Sequence, residues 1–395
     1  MQNHGFSTIG LVARSVAAPA VLAALLAVPG LGAPARAEGP TVEALLQQAR
    51  VGSDPQKHQA FIALERLGPE GAPAVPALLE MLTSDKTFTV KVRSPMHHLG
   101  PNQTFWLRDR AAEVLMKIGG PAVPELIRCA TQDAKRAKTC VFCLVAIAQG
   151  DRRFRADQDP GVGKVLAGLV DQHRASLSVS ELRALAGAGC APAGAELIAR
   201  LDSPQWQERG WAAIGLGELG EAGSIPKLAS LLAGDPSDFV RQYSAKALGQ
   251  LQASAALEPL IQAALHDRAR DTRRAAVEAL AALRVKRGIE SVTSLLATDP
   301  SAEVRLECAR TFWTVRYPAA IPPLIAALQK EEDYLTRDYL LHALWKQRAV
   351  KAIPEIERVI ADPKRQLSHH IAEYALKVLG GGQTPQDEFA TLEPK

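Results

Sequence analysis

Beyond residue 200 the apolar and polar positions recur with a fixed stride. From Arg305, steps of 32 residues land on Arg337 downstream and on Arg273, Arg241 and Arg209 upstream. Six residues before four of these arginines stand Asp235, Asp267, Asp299 and Glu331. Ser203 holds that place in the earliest copy. In the last copy the acid slips one place to Asp362, and His369 takes the arginine position. Seven residues after the arginine column come Leu216, Leu248, Leu280, Phe312, Leu344 and Leu376, each preceded by a small residue. Within a unit, apolar residues 3, 4, 7 and 10 places after the arginine form one face of a 3.6-residue helix. A second helix opens at the column Ile225, Leu257, Ile289, Ile321 and Ile353, as in IPPLIAALQ at 321–329. Neither helix can bury its stripe alone, so neighbouring units must stack. The pattern predicts an all-α, right-handed α-solenoid of about nine helical pairs.

The charged columns read as structural. Asp-Pro at 235–236 and 299–300 fits an N-cap followed by proline in the first turn. Each acid is therefore expected to cap a first helix and to face an arginine one turn along. Stacked, Asp235, Asp267, Asp299 and Glu331 with Arg209, Arg241, Arg273, Arg305 and Arg337 would form a ladder between units. As exposed pairs they would contribute only ~0–1 kcal/mol each and act mainly on register.

The motif D-P-S-x-x-V-R-x-x-A-x-x-x-L followed by I-P-x-L-x-x-L-L, here DPSDFVRQYSAKALG (235–249) and SIPKLASLL (224–232), resembles the HEAT-repeat family. It is most similar to the short bacterial units also found in phycobilisome lyase subunits. Clear earlier copies lie at 58–82 and 107–127, and degenerate ones at 133–174 and 178–202. The chain thus divides into looser repeats at 38–202, interrupted by an inserted loop at 85–103, and regular repeats at 203–379. A tail at 380–395 loses the pattern and is expected to be disordered. The resemblance implies a fold and leaves the activity open.

Residues 1–37 stand outside the repeats. An apolar run at 16–28 follows Arg14, and APARA (33–37) ends in an A-x-A site. This is the pattern of a signal peptide cleaved after Ala37, with an apolar run too short to span a bilayer. The chain is expected to be periplasmic or secreted, with no membrane span in the mature protein. Removing 1–37 takes two arginines and no acids, which leaves 44 basic against 42 acidic residues. So balanced a surface carries no electrostatic footprint for nucleic acid.

The five cysteines change this picture little. Cys140 and Cys143 lie inside an apolar helical run, KTCVFCLVAIA, without the strand-to-helix setting of a redox pair. Cys129 falls on the preceding predicted helix and could bridge to either of them. Cys190 and Cys308 read as small core residues. Some HEAT-repeat enzymes, the deoxyhypusine hydroxylases, bind two irons through His-Glu dipeptides, and this chain has none. His369-His370, adjacent on one helix, would point about 100° apart. No catalytic constellation, metal site or cofactor is expected.

Two surfaces are left for a partner. The insertion 85–103 opens with strand-like alternation and carries Lys91, Arg93, His97 and His98; it is expected to project and to suit an acidic partner. On the first helices, Trp211, Tyr243 and Tyr339 occupy the place two after the arginine and are expected to face outward. That stripe is interrupted by Ala275 and Glu307. Trp313 and Trp345, eight after the arginine, read as packing between units. The second helices are expected to line the concave face with a nearly neutral surface. The leading expectation is an exported, non-catalytic scaffold that binds another protein or peptide. The alternatives are a bilin-lyase-type enzyme subunit and a structural element of an envelope assembly.

Overall fold

The computed structural model describes residues 40–91, 102–381 and 390–391. Residues 1–37 and the charged tip of the insertion, including Arg93, His97 and His98, lie outside the described residues.

Residues from Val42 onward form one unit of stacked helices. Among the described residues a leading helix α1 (Val42–Val51) is followed by nine pairs, each a first and a second helix. These are α2 (Asp54–Leu67) with α3 (Val75–Met81), α4 (Leu107–Ile118) with α5 (Val123–Gln132), α6 (Ala137–Gly150) with α7 (Pro160–His173), and α8 (Val179–Gly187) with α9 (Pro192–Arg200). The regular pairs follow: α10 (Trp206–Leu219) with α11 (Ile225–Gly234), α12 (Asp238–Gln250) with α13 (Leu257–His266), and α14 (Arg270–Leu283) with α15 (Lys286–Leu295). Then come α16 (Ala302–Thr314) with α17 (Ile321–Lys330) and α18 (Tyr334–Lys346) with α19 (Ile353–Ala361). A last first-helix, α20 (His369–Leu379), closes the stack. The all-α solenoid is as the periodicity predicts. The column seven after the arginine is its spine: Leu216, Leu248, Leu280, Phe312 and Leu344 are all fully buried.

First helices sit on first helices and second on second, and the first-helix row is the more closely packed. Small residues permit this approach. A Cβ on Gly217 would lie 3.0 Å from Ala247 Cα, and one on Gly249 would lie 2.9 Å from Ala279 Cα.

The insertion departs from a projecting loop at its base. Strand β1 (Thr87–Lys91) pairs antiparallel with β2 (Asn102–Trp106), which runs directly into α4. Phe88 and Val90 alternate inward and are buried. Phe88 stacks 6.0 Å from Phe61 and 5.6 Å from Phe105. The Asp54 carboxylate accepts from Thr89 N–H at 2.9 Å. Apolar alternation fixes the hairpin to α2, and Lys91 stands exposed at its upper end.

The turns after α10, α12, α14 and α18 each contain a left-handed residue: Gly220, Gln252, Arg284 and Arg348. After α16 the chain instead extends as β3 (Val315–Arg316). The buried Gln347 amide holds it by donating to Phe312 and Val315 carbonyls, each at 2.7 Å, and by accepting from Tyr317 N–H. In the tail, Ala390–Thr391 (β4) pairs in parallel with β3, so these two residues are not the free coil expected there.

Candidate interaction surface

The charged ladder is built, but not as capped exposed pairs. Asp235 directly follows α11, and α12 is preceded by Ser237 as its N-cap. The acid sits between helices, and one carboxylate oxygen accepts from the N–H two residues on. That bond is 2.9 Å at Ser237, 2.8 Å at Ala269 and Ser301, and 3.0 Å at Asp333. The arginine binds the acid of the following unit, 26 residues on. Arg209 donates from Nε and Nη2 to Asp235 at 2.7 and 2.9 Å. Arg241 does the same to Asp267, Arg273 to Asp299 and Arg305 to Glu331. The remaining Nη1 donates to the backbone carbonyl six residues back, that of Ser203 for Arg209 and of the unit's own acid for the other three, as from Arg241 to Asp235 O at 2.9 Å. All four acid side chains are buried. These forks are specific and desolvated, quite unlike surface pairs. The carboxylate bond holds each of the four guanidinium groups above its ordinary pKa.

Arg337 has no such fork. The residue 26 places on is Pro363.

On the first-helix row, two aromatic clusters flank a charged patch. In the first, Trp206 and Trp211 on α10 are 44% and 38% exposed. Phe239 on α12 bridges them, with ring centroids 5.3 and 6.1 Å away, and reaches Tyr243 at 4.5 Å. Gly210 makes this contact possible, since a Cβ there would fall 2.3 Å from the Phe239 ring. Arg183 lies 5.1 Å over Trp211 and is bonded to Glu218 at 2.7 Å; Lys246 lies 5.2 Å over Tyr243. Cation–π contacts of this kind hold the cluster at both edges.

In the second cluster, Trp313 of α16 stacks on His342 of α18 at 5.4 Å and meets Tyr339 edge-on at 5.7 Å. Trp345 Nε1 donates to His342 Nδ1 at 3.2 Å, and Trp345 meets Tyr374 of α20 at 5.5 Å. Burial is the main cause lowering the His342 pKa; His370 and Lys346 add to it and Asp338 opposes it. Accepting at Nδ1 requires the neutral ring.

Between the clusters, the place held by Tyr243 and Tyr339 is taken by the fully buried Ala275 and by Glu307, 7% exposed. Burial raises the Glu307 pKa; Glu278 adds to it, while Arg310, Arg274 and Lys246 oppose it.

Of the residues expected to make contact, Trp211 is exposed as predicted. Tyr243 and Tyr339 are half-buried in ring contacts between adjacent helices, because first helices pack too closely to let that position face solvent alone. Trp313 and Trp345 pack between units as expected. Trp206 and Phe239 complete the first cluster and were missed from sequence. They precede the arginine by three and two places, where the helix is just starting, and no periodic column marks them.

Cys129 on α5 is bonded to Cys140 on α6, with Cα atoms 6.4 Å apart. Cys143 is buried and its thiol is pushed up to about 12 by desolvation. Among the described residues no group of three or more His, Cys, Asp or Glu could hold a metal ion, and no helix is long and apolar enough to cross a membrane.

Stacked, buried-ladder helical pairs define a repeat solenoid. The family model for HEAT repeats matches residues 194–281 and 289–377, so these two stretches are HEAT repeats. No curated protein matches by sequence. Among solved structures, importin beta is similar at 11% identity, over 85% of this chain and 54% of its own, with a TM-score of 0.51. Kap121p bound to Pho4p matches at 11% identity, over 86% of this chain and 41% of its own, with a TM-score of 0.46. Human deoxyhypusine hydroxylase in complex with glycerol matches at 17% identity, over 80% of this chain and 99% of its own, with a TM-score of 0.30. The likeness to importin beta is one of fold.

Proposed function

We propose that this chain is an exported, non-catalytic scaffold that binds another protein or peptide along its first-helix row. The observation that carries this reading is the row itself, with two aromatic clusters and a charged patch between them along a solenoid. Solenoids of this kind offer long continuous surfaces. Tryptophan and tyrosine anchor interfaces at low entropic cost. The importin-like fold supports a binding role. A test is capture by residues 38–395 from envelope and secreted fractions, compared with a Trp206→Ala, Trp211→Ala double variant. Loss of a stoichiometric protein from the variant is expected; equal recovery by both would move the site off this cluster, with a Lys91→Glu variant then testing the hairpin.

Export is supported by the leader-like residues 1–37 and by the Cys129–Cys140 bridge, since disulfides persist in oxidising compartments. N-terminal sequencing of the protein from a periplasmic or secreted fraction is expected to begin at Glu38. Recovery only inside the cytoplasm, with all five thiols free, would remove this part of the proposal.

A further inference from the structure

The ladder ends at an arginine whose environment differs from that of the other four. Arg337 is 4% exposed. It donates from Nη2 to the Glu331 and Glu332 carbonyls at 3.3 and 2.9 Å, and from Nη1 to Ser368 Oγ at 3.4 Å. Its Nε is buried with no hydrogen-bond partner. At each preceding position that atom donates to a carboxylate at 2.7 or 2.8 Å.

The cause lies in the sequence. From Asp299 to Arg305 is six residues, whereas from Asp362 to His369 is seven. One extra residue puts Pro363 where the acid belongs and moves Asp362 out of reach. Asp362 instead pairs with Arg365 at 3.3 Å and caps Lys364 N–H. Whereas the ladder acids Asp235, Asp299 and Glu331 are buried, Pro363, at the place of the next acid, is exposed. Arg365, held on the Leu328 and Gln329 carbonyls, adds a second positive charge. Burial, with Arg365 next, pulls the Arg337 pKa down; the charges of Asp338, Glu331 and Asp362 oppose this.

From the orphaned Arg337 Nε, beside Ser368 Oγ and Arg365 at the joint before α20, we propose a carboxylate-binding site. It takes a carboxylate from outside the repeat, free or on an acidic side chain, in the place the next unit's acid fills elsewhere. The chemistry is that of the four completed forks, a planar guanidinium matched to two carboxylate oxygens. The proposal does not depend on the scaffold reading, because its probe is a small molecule.

The test uses the full mature chain at constant pH and ionic strength. Binding is read by line broadening of 13C-labelled acetate and by Tm in acetate against chloride; capped acetyl-glutamate methylamide tests a side-chain source. Saturable broadening with a rise in Tm specific to carboxylate is expected. A Pro363→Asp variant, which supplies the acid covalently, should have a higher Tm in chloride and at least a tenfold weaker acetate response. No difference between acetate and chloride would overturn the site, as would an undiminished response in the folded Pro363→Asp variant. Broadening by acetate but not by the capped glutamate would restrict the source to free carboxylates.

Discussion

Arg241 grips Asp267 across the joint between two repeats, with Nε and Nη2 donating to the two carboxylate oxygens at 2.7 and 2.9 Å and both side chains 7% exposed. The same guanidinium reaches back to the Asp235 carbonyl at 2.9 Å. One side chain thus ties the loop of its own unit to the loop of the next. Removing one partner leaves the other buried and unpaired. Asp267→Ala is expected to destabilise the chain by about 3–5 kcal/mol. Urea unfolding of single and double variants checks this, and Arg241→Met with Asp267→Leu should recover much of the loss.

The looser half of the chain lacks this ladder, and the Cys129–Cys140 bridge joins α5 to α6 there. Closing so short a loop is worth roughly 2–3 kcal/mol in the chain-entropy account. Cys140→Ser, or reduction, is expected to lower Tm. Reductant should then have no further effect on the Cys140→Ser variant, since Cys143 is buried with its thiol protonated.

Gly210 faces the Phe239 ring at a distance no Cβ tolerates. Gly210→Ala is expected to push Phe239 aside, cost about 1–3 kcal/mol by overpacking, and change the near-UV circular dichroism of Trp206 and Trp211. A Phe239→Leu change in the same background should restore stability but not the aromatic signal.

His342 is held neutral by burial and by accepting from Trp345 Nε1. Its folded pKa lies below the unfolded value of about 6.5. The unfolded chain therefore binds the proton more readily, and stability rises with pH across the interval between the two values. The contribution is complete above about 6.5 and is lost as pH falls toward the folded value. Trp fluorescence of the second cluster should change on acidification. Stability measured against pH should show a shallower acid slope in His342→Phe, with the residual slope including His58, which burial also holds low.

Much of this fold was legible because its instructions are local and repeated. Apolar spacing within each unit gave both helices, and the fixed stride gave the stack. The hairpin base was legible only as alternation; that Phe88 is a core residue depends on Phe61 and Phe105, which come from other segments. The first aromatic cluster was half legible. Trp211 fell on a periodic column, whereas Trp206 and Phe239 meet only because Gly210 lets two helices close on one another.

The sequence by itself determined that arginine and acid alternate along the chain at separations of 6 and 26 residues, and so that the two columns run in step. It could not say which separation is bridged, because both are equally periodic. Only the stacking of one unit on the next decided that, by carrying each acid into the fork of the preceding arginine and burying the pair. The same stacking turned charges read as exposed into desolvated contacts and drew the first helices close together. Position along a chain fixes which residues repeat; the distance between separate units fixes which of them touch.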